Sequence, residues 1–162
     1  MTDSTAGQDA AVSSDADYCD PKLWVWGDHA ESPRVLHTMI RVRDFDAALH
    51  FYVDLLGMKI LDRFEIPVRR VSAMFVGFDG YDAGGCLEIV RPWDTDGPYT
   101  HGTGYGHIAI GVPDVMATLD RLEADGVKVT TRPVMLLPGA PAVAFVEDPD
   151  GYAVELIQTR RR

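Results

Sequence analysis

The chain is 162 residues long, which suits one domain of ordinary size with room to bury a core. Apolar residues make up 46% and charged residues 25%, a globular rather than a disordered balance. The formal net charge of −10 tells against nucleic acid or an anionic membrane surface as a partner.

Residues 1–17 are Ser, Ala, Asp, Gly and Thr with almost nothing to bury, so a flexible acidic tail is expected there. Residues 18–33 differ, because Trp24 and Trp26 are large apolar groups that are costly to leave in water. They predict an N-terminal arm that packs onto the body or onto a second subunit; a partly ordered linker is the alternative. Seven acidic side chains against Lys22 alone fall within residues 1–33, so the rest of the chain is only mildly acidic. No basic stretch followed by an apolar one opens the sequence, and no signal peptide is expected. No run approaches the roughly 18 consecutive apolar residues of a spanning helix. With Cys19 and Cys86 as the only cysteines, a disulfide framework is not expected and a reducing cytoplasm is the simplest setting.

Beyond the arm the chain repeats itself. His37-Thr38-Met39-Ile40-Arg41-Val42-Arg43-Asp44 lines up with His107-Ile108-Ala109-Ile110-Gly111-Val112-Pro113-Asp114. Each segment leads into a helical pattern, Ala47, Ala48, Phe51, Leu55 and Leu56 in the first copy, and Val115, Leu119 and Leu122 in the second. Asp44 and Asp114 stand where N-caps belong, and Gly57 and Gly126 where helices end. The match resumes at Leu87-Glu88-Ile89-Val90 and Val154-Glu155-Leu156-Ile157, each after a Phe-Val strand, Phe75-Val76 and Phe145-Val146. The His-to-Glu separations are 51 and 48 residues. The expected fold is therefore α+β, two paired βαβββ modules at residues 34–95 and 103–158, closing their bare faces on each other or on a partner chain.

Strand alternation says where the polar groups point. Leu36, Thr38, Ile40 and Val42 share one face, and His37, Met39 and Arg41 the other. Ile108, Ile110 and Val112 likewise oppose His107, Ala109 and Gly111. Both His thus lie away from the helix, on the concave side where a pocket is expected. A lone strand His is ordinarily a packed or surface residue. A Glu inside an apolar strand such as Cys86-Leu87-Glu88-Ile89-Val90 is harder to dismiss, because an unpaired buried carboxylate needs a cation, a metal or a proton. His37, Glu88, His107 and Glu155 at equivalent places in two copies read as a metal-ligand set with approximate two-fold symmetry. A mixed N2O2 set with two positions left for water suits one octahedral divalent ion, nickel, zinc, cobalt or manganese.

The motifs carry a resemblance. Leu36-His37-Thr38-Met39-Ile40-Arg41-Val42, Phe51-Tyr52 with Leu56-Gly57-Met58, Gly104-Tyr105-Gly106-His107-Ile108-Ala109, and Ala144-Phe145-Val146-Glu147-Asp148-Pro149-Asp150-Gly151-Tyr152 are similar to those of glyoxalase I (lactoylglutathione lyase), of the vicinal-oxygen-chelate superfamily. The resemblance runs from about residue 34 to 158. It implies the paired βαβββ fold and a homodimer whose metal sites each take one His–Glu pair from each chain. It also implies the chemistry, in which the hemithioacetal of a 2-oxoaldehyde such as methylglyoxal with glutathione becomes a 2-hydroxyacyl thioester by proton transfer through an enediolate. By resemblance Glu155 is the first choice of base and Glu88 the second.

The thiol pocket departs from the family. Arg41 matches an Arg that holds the glutathione carboxylate, and Trp93 matches the Trp of an Asn-Trp pair, but Pro92 replaces the Asn. The family's Lys and Gly before the Ala-Phe-Val strand are replaced by Val134-Met135-Leu136-Leu137-Pro138-Gly139-Ala140-Pro141, which has no cation for a charge-assisted bond. Met135, Leu136 and Leu137 are expected to line a less polar substrate pocket, with the glutathione adduct turned over poorly. An epimerase or isomerase acting on another thioester or carbonyl compound, and a small-molecule binder on the same fold, are the alternatives. Cys86 alternates onto the Glu88 face, where a core thiol or one bordering the site is expected. His50 reads as a helix-surface residue, His101 as a loop residue near the site or a gate to it, and Arg160-Arg161-Arg162 as a solvated tail.

Overall fold

The two repeats become two four-stranded sheets threaded in the same order. The computed structural model describes residues 33, 35–80, 84–95 and 97–159. The tail expected at 1–17, the arm at 18–33 with Trp24 and Trp26 (all but Pro33), and the Arg160–Arg162 run lie outside the described residues.

The first sheet holds β1 (His37–Arg41), β2 (Lys59–Ile66), β3 (Val71–Gly77) and β4 (Cys86–Pro92), in the order β1-β4-β3-β2. The second holds β5 (Ile108–Val112), β6 (Lys128–Met135), β7 (Ala142–Glu147) and β8 (Ala153–Gln158), in the order β5-β8-β7-β6. In each sheet the first and last strands of the copy pair in parallel and the other pairs are antiparallel. Each copy thus runs strand, helix, three strands, the α+β arrangement expected from the repeat. No helix among the described residues is long and apolar enough to cross a membrane.

The helices start where the sequence places them. Asp44 Oδ1 accepts from the backbone N–H groups of Asp46 and Ala47 at 2.8 and 3.4 Å, and Asp114 Oδ1 from that of Ala117 at 3.0 Å. Each supplies acceptors for donors that have no partner inside the helix. Past each helix, Gly57 (φ 80°) and Gly126 (φ 85°) take the left-handed turn that a side chain would resist. The second helix, α2, is regular over Val115–Ala124. The first, α1 (Phe45–Leu49), widens into a π-helix over His50–Leu55, where the sequence predicts a continuous α-helix. A π-turn rotates less per residue, so consecutive side chains lie closer to one face. That suits Phe51 and Tyr52, adjacent in sequence and both fully buried.

The chain divides into two compact units. One holds sheet β1–β4, and the other holds sheet β5–β8 with α2 and the whole 44–56 segment. The first copy's helix therefore belongs to the second unit, and the units do not follow the repeat boundaries. Three bonds tie it in. Arg121 Nη2 donates to the Leu55 carbonyl at 2.8 Å, Tyr52 Oη donates to Asp148 Oδ2 at 2.9 Å, and His50 Nε2 meets Asp125 Oδ2 at 2.6 Å. Each sheet keeps one densely buried face, Ile40, Val42, Met74, Val76, Leu87 and Ile89 in the first, and Ile110, Val112, Ala144, Val146, Val154 and Leu156 in the second.

His50 is exposed, as expected, but it bridges two aspartates. Its Nδ1 meets Asp54 Oδ2 at 3.2 Å while Nε2 meets Asp125. Only the imidazolium donates from both nitrogens, and the hydrogen bonds of Asp125 and then Asp54 raise its pKa above 6.5. A raised folded-state pKa contributes stability that is complete below the unfolded value and is lost as pH rises through the folded one. His50→Gln should accordingly lower the melting temperature more at about pH 6 than at about pH 9; equal losses at both would mean that the bridge is not charge-dependent.

Candidate metal centre

Parallel pairing of β1 with β4 sets His37 opposite Cys86 and Met39 opposite Glu88. His37 and Glu88 are then diagonal neighbours on one face, and His37 Nε2 lies 3.2 Å from Glu88 Oε2. In the second copy Ala109 is opposite Glu155, which leaves His107, one residue before β5, in the same diagonal relation. His107 Nε2 lies 3.1 Å from Glu155 Oε2. Behind each pair stands a phenylalanine in direct register with the glutamate, Phe75 with Glu88 and Phe145 with Glu155. Each meets its imidazole edge to face, at 5.4 Å and 70° for His37–Phe75 and 5.5 Å and 79° for His107–Phe145. Glu155 is buried, whereas Glu88 is half-buried. Among the described residues no three His, Cys, Asp or Glu side chains converge as a metal set; each unit presents one two-donor pair.

The other expected site residues fall out unevenly. Arg41 is exposed and alternates onto the face of His37 and Glu88. Trp93 does not join them. Its indole N–H donates at 2.9 Å to Ser72 Oγ, which alternates to the face opposite Phe75, and Arg70 lies 5.6 Å over its ring. Met135, Leu136 and Leu137 are 62–70% exposed at the β6–β7 turn. In that hairpin Val134 is registered against Val143, on the face of Phe145, and Met135 against Ala142 on the other. Cys86 is buried on the Glu88 face, and its thiol donates to the Leu36 carbonyl at 3.6 Å. Burial pushes that thiol up, so it is not a ready nucleophile. His101 stacks on Tyr152 at 4.2 Å, just ahead of β8.

Comparison with known proteins identifies the family. The family model described as Glyoxalase/Bleomycin resistance protein/Dioxygenase superfamily matches residues 34–156, well over half of the chain. The chain belongs to that superfamily. It is 45% identical over 125 residues to a probable lactoylglutathione lyase of Synechocystis, covering 77% of this chain and 95% of the relative. It is 42% identical to the lactoylglutathione lyase of Haemophilus influenzae, covering 78% and 93%. Among solved structures, glyoxalase I from Zea mays superposes with a TM-score of 0.75 at 35% identity, covering 80% of this chain; the chain spans only 46% of the maize one. A trypanothione-dependent glyoxalase I of Leishmania major superposes with a TM-score of 0.69 at 37% identity, covering 78% of this chain and 87% of that one.

Two contacts in this superfamily member escaped the sequence reading. The first is the Phe ring behind each histidine. Its trace in the sequence was the Phe-Val pair repeated ahead of each Glu, which served only as a strand marker. The second is the Tyr52–Asp148 bond. Both residues stand in recognised motifs, but nothing local says that they meet. Asp148 Oδ1 accepts from the backbone N–H groups of Asp150 and Tyr152 at 2.9 and 2.8 Å, which folds the turn into β8 and Glu155. Burial raises the Asp148 carboxyl despite these donors, and burial with the nearby Asp148 charge raises Tyr52 well above the usual phenol range. Tyr52 is thus a fixed neutral donor. Tyr52→Phe leaves Asp148 Oδ2 short of a donor and should cost about 1–3 kcal/mol. Urea denaturation measures it, and a loss under about 0.5 kcal/mol would show that the bond is dispensable.

Proposed function

We propose that this chain is a glyoxalase I-type lyase, which turns the hemithioacetal of a 2-oxoaldehyde and a thiol into a 2-hydroxyacyl thioester. The observation that carries the reading is the duplicated His–Glu pair, with Nε2 and Oε2 at 3.2 and 3.1 Å on equivalent strands. Its sequence relatives named as lactoylglutathione lyases support it. The superfamily's glyoxalase I branch is metal-dependent, and the donor chemistry here fits a metal. Two imidazoles and two carboxylates are a borderline-hard N2O2 set, and each pair holds an imidazole nitrogen and a carboxylate oxygen 3.1–3.2 Å apart. His37, Glu88, His107 and Glu155 would hold one divalent ion, nickel or zinc first, cobalt or manganese otherwise. A four-donor site needs both pairs, and the resemblance to glyoxalase I implies a homodimer in which each chain contributes one pair to each site. A reducing cytoplasm suits the free thiol of Cys86.

The bound ion would supply positive charge opposite the oxygens of the developing enediolate. The chain's own groups move the proton. Glu155 takes it from C1 of the hemithioacetal as the electrons pass toward the carbonyl, and a carboxyl returns one at C2. Burial of Glu155 keeps water from competing for that proton. Glu88, its counterpart in the first copy, is placed to serve the opposite face. Arg41 would anchor a carboxylate of the thiol. Metal titration of the protein should give one ion per four-donor set. Glu155→Gln should lower kcat by about 10²–10⁴-fold while retaining metal, and His107→Ala should lose both. Wild-type turnover by Glu155→Gln would transfer the base role to Glu88.

The thiol is the finer choice. Pro92 and the cation-free 134–141 stretch offer no charge to a tripeptide carboxylate, and Met135 to Leu137 stand exposed. We propose that a more apolar adduct is preferred, with Leu136 and Leu137 against it; Met135, registered to the face opposite Phe145, is the weaker candidate of the three. The hydrogen bond of the Trp93 indole to Ser72 leaves that residue a weaker candidate for substrate contact. The same departures favour, as a second reading, an epimerase or isomerase using the same proton-transfer route. Steady-state kinetics separates these. A kcat/KM near about 10⁶ M⁻¹s⁻¹ with the glutathione adduct marks an ordinary glyoxalase I, a much lower value with rescue by an apolar adduct marks the altered pocket, and no lyase turnover marks the isomerase.

A further inference from the structure

We infer that Phe75 and Phe145 are positioning residues, each holding an imidazole so that Nε2 faces the glutamate on the neighbouring strand. The inference rests on the metal reading for its purpose, but its geometry stands apart from it. A histidine at the start of a strand has two free side-chain torsions, and rotation about the second swaps the positions of its ring atoms. Something must choose one orientation if Nε2 is to be presented.

The internal repeat provides two independent instances. Ring separations of 5.4 and 5.5 Å accompany Nε2–Oε2 distances of 3.2 and 3.1 Å. The surroundings of the two phenylalanines differ. Phe75 is fully buried and stacked on Phe64 at 5.7 Å and 29°. Phe145 is only half-buried and is registered against Thr131. General packing therefore does not explain the match. The shared feature is register, with each phenylalanine directly opposite the glutamate and the histidine diagonal to it across the parallel pair. The ring reaches the imidazole from the strand beyond the glutamate, and the edge-to-face contact favours one ring tilt. An outer contact of this kind tunes affinity by restricting a ligand before the ion arrives.

The test is metal affinity measured by calorimetry on the full-length protein, with zinc and nickel ions as probes. Phe145→Leu and Phe75→Leu keep apolar bulk and remove the ring, and each should weaken binding about two- to tenfold. Phe145→Tyr restores a ring and should bind as wild type. Phe51→Leu, at a fully buried aromatic of the first helix, should lower the melting temperature without changing affinity. Ring-nitrogen NMR of the metal-free protein should show His107 ordered in the wild type and averaged in Phe145→Leu. Wild-type affinity in both Leu variants, or equal weakening by Phe51→Leu, overturns the positioning role. If the wild type binds neither ion, the metal reading fails, and the NMR comparison still decides the positioning claim.

Discussion

Every feature of the candidate centre depends on the parallel pairing of the first and last strands of each repeat. Hydrogen bonds of β1 to β4, and of β5 to β8, set the register in which His37 sits diagonal to Glu88 and His107 to Glu155. Parallel strands cannot be joined by a tight turn. Here a helix and two further strands intervene, which is why about fifty residues separate each His from its Glu. A slip of one residue would turn either ligand to the opposite face of its sheet. The centre is therefore only as well defined as the apolar alternation that locks the register, Ile40 and Val42 against Leu87 and Ile89, and Ile110 and Val112 against Val154 and Leu156.

The open faces show the complementary constraint. A carboxylate within a sheet is tolerated when an imidazole answers it, and the opposite face carries enough buried aliphatic surface to hold the strand in place. The two half-sites solve this differently. Glu155 is buried beside an exposed His107, whereas Glu88 and His37 are both half-buried, with His37 against Phe75, which stacks on Phe64. Two copies of one unit have thus diverged in packing while keeping the donor geometry, the pattern expected when the donor geometry is the constrained feature.

The helix of the first copy supplies the long-range connection. It belongs with the second unit, where Tyr52 reaches Asp148 at the turn into β8, and His50 and Leu55 meet the end of α2. The π-helical widening lets Phe51 and Tyr52 be buried side by side. The strand that carries Glu155 is consequently anchored at its start by a residue nearly one hundred positions earlier in the chain.

What the sequence determined by itself was local or periodic. Asp44 and Asp114 cap helices because a short carboxylate reaches the free N–H groups of the next turn whatever lies beyond. His37 and His107 could be assigned to the open face because alternation along a strand is a property of the backbone. The repeat made each His–Glu pair legible, since the same two donors recurred at the same places. The tertiary structure decided what depends on register and on long-range contact. It brought Phe75 and Phe145 against the histidines, joined Tyr52 to Asp148, and assigned α1 to the second unit. It also tied Trp93 to Ser72, on the face that Leu87, Ile89 and Arg91 share and that alternation sets opposite Glu88. The continuous first helix expected from periodicity failed for a related reason. Periodicity registers that Phe51 and Tyr52 are apolar, but only the surface they pack against requires both to be buried on one side.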